Sequence, residues 1–378
     1  MLLILLSQEK FEEMIILRKK LFRRILQGTG KMICLALFIV FVLIPIIFRY
    51  SYSLQRNMLF LPFVRWPRNV DFNHPEKLGL MGTRNFYVKS PKGVKLGAWH
   101  ILPKSLLNDS ENAEDVEKYF EESLTHGEPV ILYMHGNSGS RAGLHRIELY
   151  HVLQNLNYHI ISFDYRSYAD SSPIPPSEEG VVEDGVFIYN WLKEKVKNAP
   201  LFVWGHSLGT GISSHVLDHL ATGPSHVKEE VDGLGDHEKK SSSALPLGLV
   251  LEAPFSNLRD EIREHPLAQL FRWMPWFDHF FLNPVNANNL AFETDKHLKN
   301  VNIPIIILHA EDDAVVPFKL GLKLYSSTRN ARSEMDAPID FIKFEEQHHF
   351  GHKYICRSPA LPNIISEFVN NTLEKKKA

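Results

Sequence analysis

From residue 86 onward the chain alternates short apolar runs with longer segments of helical period, and that alternation restricts the fold more than any other feature. Residues 86–88 and 96–102 read as an entry hairpin. Residues 130–134, 158–163, 201–204, 247–251, 303–308 and 339–344 then read as successive sheet strands, with helices expected over 144–156 and 181–195. In the second helix Val182, Val186, Tyr189 and Leu192 share one face, and the Pro173, Pro175, Pro176, Ser177 run before it suits a helix entry. The predicted class is therefore α/β, a mostly parallel sheet with helices on both faces. With 44% apolar and 11% aromatic residues the chain can build such a core, which excludes disordered, collagen-like and repeat architectures. Forty-two basic residues against 44 acidic ones leave no positive field to hold nucleic acid. The two cysteines, Cys34 and Cys356, are so placed that they are not expected to meet, so the fold depends on its core.

Three segments interrupt the alternation. Residues 104–128 are acidic and 223–243 combine Gly, Ser, Lys and Glu; both read as surface insertions, the second as disordered. Residues 258–300 differ in kind, with Phe271, Trp273, Trp276, Phe277, Phe280 and Phe281 crowded together between two strands, and read as a cap above the sheet. Those aromatics either line a pocket or pack the cap's own core. Arg259, Arg263 and Arg272 are candidates to meet an anionic group, with solvation the default expectation.

Residues 201–204 lead into Gly205-His206-Ser207-Leu208-Gly209, a strand ending in G-x-S-x-G. Small residues flanking the serine suit a strained strand-to-helix turn that holds its hydroxyl clear of the sheet. A serine hydroxyl needs a base and an acid to become a nucleophile, and in this arrangement both follow it in the chain. The strand at 303–308 runs into a turn bearing Glu311, Asp312 and Asp313; the D-x-x-V-P spacing selects Asp313 and leaves the other two as solvated turn residues. His352, after the last strand, is the expected base, with His349 and then His348 behind it. No metal site is expected from these three, since neither a helix nor further ligands accompany them, and no cofactor is implied. Backbone N–H groups of Asn137 and Leu208 are the expected oxyanion donors. His135 is expected to orient the loop around Asn137, and His206 to pack locally at the elbow.

An uncharged apolar run covers residues 32–48, about 25 Å as a helix, close to the thickness of a thin bilayer. Arg18, Lys19, Lys20, Arg23, Arg24 and Lys31 precede it, whereas four arginines follow, interleaved with Tyr50, Tyr52, Phe60, Phe63 and Trp66. The expected organisation is a cytosolic basic segment over 1–31, a signal-anchor over 32–48, a juxtamembrane segment over 49–85 and a lumenal domain over 86–378 with its cap near 258–300. Residues 59–67 either lie at the membrane interface or pack on that domain. Sequons at Asn108 and Asn370 both fall on the lumenal side, and Lys375 to Lys377 read as a solvated tail.

These residues carry a resemblance. The chain resembles the α/β-hydrolase-domain serine lipases with a single N-terminal membrane span, through LYMHGNSGSRAGLHRIELY, WGHSLGTG, LEAPFSN, IILHAEDDAVVPF, and HKYI followed by SPALP. The resemblance implies an α/β-hydrolase fold, with Ser207 as nucleophile, Asp313 as acid and His352 as base. It also implies hydrolysis of acyl esters of lysophospholipids, lysophosphatidylserine in particular, and of monoacylglycerols, at the endoplasmic-reticulum membrane with a lumenal site. One departure stands out: related hydrolases carry D-x-R-G-x-G-x-S where this chain has Ser167 and Ala169 in place of both glycines, so a different loop is expected there. Two other readings share some of these residues, a thioesterase acting on acylated proteins and a non-catalytic hydrolase-fold interaction protein.

Overall fold

A computed structural model describes residues 2–223 and 245–377. The insertion expected at 223–243 therefore lies, Gly223 apart, outside the described residues. Helix α1 (Leu2–Phe38) passes through a π-helical turn (Ile39–Leu43) into α2 (Ile44–Tyr50), and α3 (Tyr52–Phe60) follows at once. The wide turn has a local cause. Pro45 has no N–H and its ring crowds the carbonyl of the residue four before it, Phe41, which an undistorted α-helix would not accommodate. Among the described residues Glu13–Tyr50 is the one helix long and apolar enough to cross a membrane.

Strands β1 (Thr83–Lys89) and β2 (Lys95–Ile101) form the expected antiparallel hairpin. The acidic segment after them, expected as a surface insertion, holds α4 (Leu107–Glu111) and α5 (Val116–Ser123), with Phe120 and Leu124 reaching the core. The alternation continues with β3 (Val130–Met134), α6 (Leu144–Asn155), β4 (His159–Phe163), α7 (Glu178–Val196), β5 (Leu201–His206), α8 (Leu208–Thr222) and β6 (Gly248–Glu252). The cap carries α9 (Leu258–Glu264), α10 (Asn283–Ala287) and α11 (Thr294–His297). Strand β7 (Ile305–Ala310), α12 (Phe318–Ala331), β8 (Ile339–Phe344) and α13 (Leu361–Lys377) complete the chain.

The eight strands make one sheet in the order β1-β2-β4-β3-β5-β6-β7-β8, parallel from β4 to β8. Every residue of β3, β4, β5, β6 and β7 is buried, as strands covered on both faces must be. Two apolar clusters result, one on each face, packed around Leu132, Val203 and Leu251 on one side and Tyr133, Trp204 and Val250 on the other. The expected start of β7 at residue 303 moves to Ile305, because Pro304 offers no N–H to the ladder. Helix α7 starts three residues earlier than its apolar period suggests, where the Ser177 hydroxyl accepts from Gly180 N at 3.0 Å and caps it. Cys34 is exposed on α1 and Cys356 is buried, and both are free.

Candidate active site

Ser207 is the single residue between β5 and α8, held at φ 53°, ψ −121°, a left-handed conformation that costs a serine free energy. Two glycines make the turn possible: a Cβ on Gly209 would collide with the carbonyl of Met134, and one on Gly205 with the carbonyl of Gly209. The Ser207 amide donates to the Glu252 carbonyl at 2.9 Å, which ties the elbow to the neighbouring strand β6. Parallel strands all end at the same edge, so the turns after β3, β5, β7 and β8 gather there.

At that edge His352 Nε2 lies 2.9 Å from Ser207 Oγ, and His352 Nδ1 lies 2.7 Å from Asp313 Oδ2. Burial opposes ionisation of Asp313, but His352 and His309 overcome it and hold the carboxyl well below its usual range. An ionised Asp313 can only accept, so Nδ1 of His352 carries the hydrogen and the Nε2 lone pair faces the serine hydroxyl. Asp313 Oδ1 accepts from Val315 N and Val316 N at 2.8 and 2.9 Å, which fixes the carboxylate's plane.

Three side chains outside this chain of hydrogen bonds hold it in place. His206 Nε2 donates to the carbonyl of His352 at 2.9 Å; burial, then the charge of His352, pushes its ring well below the usual histidine range, so it stays neutral. The expectation of local packing alone for His206 is corrected accordingly. Asp312 is not a solvated turn residue either: both its carboxylate oxygens accept from Gly351 N at 3.0 Å, pinning the residue before His352. His309 donates to the Val316 carbonyl at 3.0 Å and flanks Asp313. Glu311 does behave as a surface acid, paired with Lys343.

The loop after β3 lies against the serine, where a Cβ on Gly136 would stand 3.0 Å from Ser207 Cβ. Leu208 is the first residue of α8, and opening N–H groups of a helix have no intrahelical acceptor. Of the two expected oxyanion donors, Leu208 thus directly follows Ser207, and Asn137 directly follows Gly136. Beneath the loop, His135 is fully buried, with Nδ1 2.7 Å from the Gly136 carbonyl and Nε2 3.3 Å from Asp164, which also takes Arg141. From outside, the segment after the N-terminal helix straps the loop down: Ser138 N donates to Phe60 O at 3.2 Å, Gly139 N to Val64 O at 2.7 Å, and Asn137 Nδ2 to Leu59 O at 3.3 Å. Residues 59–67 thus pack on the domain, although Phe63 and Trp66 remain exposed.

In the loop after β4, Ser167 and Ala169 adopt φ 74° and 46°, left-handed values that strain a residue carrying a Cβ. Asp164 and Asp170 on Arg141, Arg166 on Asp184, and the Tyr168 hydroxyl donating to Phe60 O hold it there.

Other expected candidates do not join the site. His348 and His349 are exposed. Arg259 and Arg263 share Asp278 and Arg272 takes Glu264, so the cap arginines are committed to internal ion pairs. Phe277 is buried and, with Phe271 and Phe281, builds a small cap core, and Phe271 packs edge-on against Phe41 and Phe281 tilted against Phe48 of the N-terminal helix. Asn108 and Asn370 are exposed on α4 and α13. Glu178, His215 and His297 come close enough to suggest a metal site, but the two rings stack at 4.0 Å and 15°. One ion cannot lie in both ring planes, and each imidazole already has a carboxylate, Glu178 or Asp218.

Residues 129–231 match the family described as alpha/beta hydrolase fold. The esterase Pf2001 of Pyrococcus furiosus superposes with a TM-score of 0.53 at 17% identity, over 82% of this chain and 97% of that one, which is a likeness of fold. Sequence relatives are nearer. The lysophosphatidylserine lipase ABHD12 of Danio rerio is 39% identical over 330 residues, 87% of this chain and 81% of that protein. The same lipase of Mus musculus is 37% identical over 332 residues, 88% and 78% respectively, and human ABHD12B is 33% identical over 313 residues, 83% and 79%. With identity at this level across most of both chains, this chain belongs to the ABHD12 family of α/β-hydrolases.

Proposed function

We propose that this protein is a membrane-anchored serine hydrolase that cleaves the acyl ester of lysophospholipids, lysophosphatidylserine foremost, and of monoacylglycerols. The observation that carries the reading is the continuous path Ser207 Oγ, His352 Nε2, His352 Nδ1, Asp313 Oδ2, with 2.9 and 2.7 Å at its two hydrogen bonds. Ser207 Oγ attacks the acyl carbonyl carbon while His352 Nε2 takes its proton. The carbonyl oxygen, now an anion, accepts from the amides of Asn137 and Leu208. Collapse expels the glycerol oxygen, which receives the proton from His352, and leaves the acyl group on Ser207. Water, deprotonated by the same imidazole, then releases the fatty acid and restores the serine. Asp313 stays ionised throughout and stabilises the imidazolium between transfers.

The relatives named as lysophosphatidylserine lipases support the substrate class. The anchor over residues 32–48, with the domain from 86 onward in the lumen of the endoplasmic reticulum and the juxtamembrane segment between them, belongs to the same proposal.

The test is hydrolysis of a panel of lysolipids, monoacylglycerols and acylated peptides by wild type and Ser207→Ala, with fluorophosphonate labelling in parallel. Loss of a triad serine lowers turnover by about 10⁶-fold, so Ser207→Ala is expected to be silent and unlabelled. Folded wild type that never labels would point to an interaction protein, and preference for acyl peptides to a thioesterase.

A further inference from the structure

We infer that the cap does not stand above the membrane but is seated in its hydrocarbon layer, with residues 267–273 facing lipid, so that substrate reaches Ser207 sideways from the leaflet. This rests on the proposed anchor and carries it further. The uncharged run is residues 32–48, about 25 Å of helix, barely enough to span. Phe41 lies seven residues before its end, hence about 10 Å inside the apolar layer. Yet the Phe41 ring packs on Phe271 of the cap at 5.8 Å between centroids, and one turn pair further along Phe48 packs on Phe281 at 5.2 Å. A cap held clear of the bilayer would require residues 41–48, which pack on it, to be clear of it too. Only residues 32–40 would then remain uncharged within it, about 14 Å of helix, which cannot span. Either the cap is embedded or the chain is not anchored by this helix.

The cap's surface has the chemistry this demands. Leu267, Leu270 and Trp273 are 71%, 50% and 70% exposed, beside the contact with the helix. The Trp273 indole N–H donates to the Leu270 carbonyl at 2.9 Å, so the ring carries no unsatisfied donor into lipid. Arg272, next to it, is paired with Glu264. Arg49 donates to the His279 carbonyl, and exposed Tyr50 and Tyr52 follow, which sets the water boundary at the level of His279. The same element leads to the chemistry: His265, two residues before Leu267, and Glu261 are near enough to His352 and Asp313 respectively to feel their charges.

The experiment uses the full chain in lipid nanodiscs. Emission of wild type minus Trp273→Phe isolates Trp273, and lipids brominated on the acyl chain quench only what lies among the chains. Strong quenching by bromolipid with little by iodide is expected; quenching by iodide alone, or protection from both, overturns the inference. In parallel, Leu267→Ser combined with Leu270→Ser is expected to lower hydrolysis of a long-chain lysolipid held in the bilayer at least fivefold, while a water-soluble short-chain ester is cleaved at the wild-type rate. Equal change on both substrates, or none on either, counts against it. If wild type cleaves neither substrate the proposed activity fails instead, and if alkaline carbonate extracts the chain the anchor fails.

Discussion

Ala169 at φ 46° and Ser167 at 74° occupy a region where a Cβ costs about 1–2 kcal/mol. Replacing Ala169 by Gly removes that cost and adds back the entropy glycine loses on folding, a net gain of about 0.5–1 kcal/mol. A higher midpoint of thermal unfolding is therefore expected, with unchanged turnover. Glu252, under the elbow, is pushed up to about 7 from 4.5, chiefly by burial, with the Trp204 hydrogen bond opposing and the charge of Asp313 reinforcing. Its folded value lies above its unfolded one. The stability it lends is therefore complete below about pH 4.5 and lost as pH rises through about 7. Glu252→Gln keeps an acceptor for Trp204 and cannot ionise, so the variant is expected to match wild type in acid and to exceed it above about pH 8. The gain is on the order of 3 kcal/mol, read as a difference in unfolding midpoint across a pH series. Such effects explain which residues the sequence exposes and which it hides. Ser207 and Asp313 are legible because each ends an apolar strand with a distinctive neighbourhood of a few residues. His206 and Asp312 are not, because their partners lie 146 and 39 residues away and nothing local records the pairing.

At the scale of elements, the strands were readable because apolar runs of five or six residues buried on both faces leave no other solution; the differences lie at element ends, by one to three residues, as at Pro304 and the Ser177 cap. The role of α3 was not readable. Its amphipathic pattern is weak, and its function is to offer carbonyls at Leu59 and Phe60 to a loop nearly 80 residues later. Phe60 is fully buried and edge-packed on Phe292 at 6.1 Å, so it joins the strap to the cap. Phe60→Ala is expected to cost about 3–5 kcal/mol, by the loss of its burial and the cavity left behind. Turnover should fall as well, because the strap over the loop carrying Asn137, the proposed oxyanion donor, loses its hold on the cap; thermal unfolding and kcat measured on one preparation separate the two effects.

For the whole molecule, the proposed topology makes a direct demand. Asn108 and Asn370 would both meet the glycosylation machinery, so endoglycosidase treatment should increase mobility, with Asn108→Gln and Asn370→Gln each removing part of the shift. Protease added to sealed microsomes should spare the hydrolase domain. No shift together with full digestion would place that domain in the cytosol. One connection described above reaches furthest. The N-terminal helix ends at Ser51, whose extended backbone and capping hydroxyl start α3 at once, and α3 holds the loop after β3 by the carbonyl of Phe60. On the proposed anchoring, tilt imposed on that helix by a thicker or thinner bilayer would pass through this connection to the loop carrying Asn137, the proposed oxyanion donor. Toward a protein so anchored the lipid environment would act as an effector as well as a solvent, and turnover compared across bilayers of graded acyl length should register its thickness.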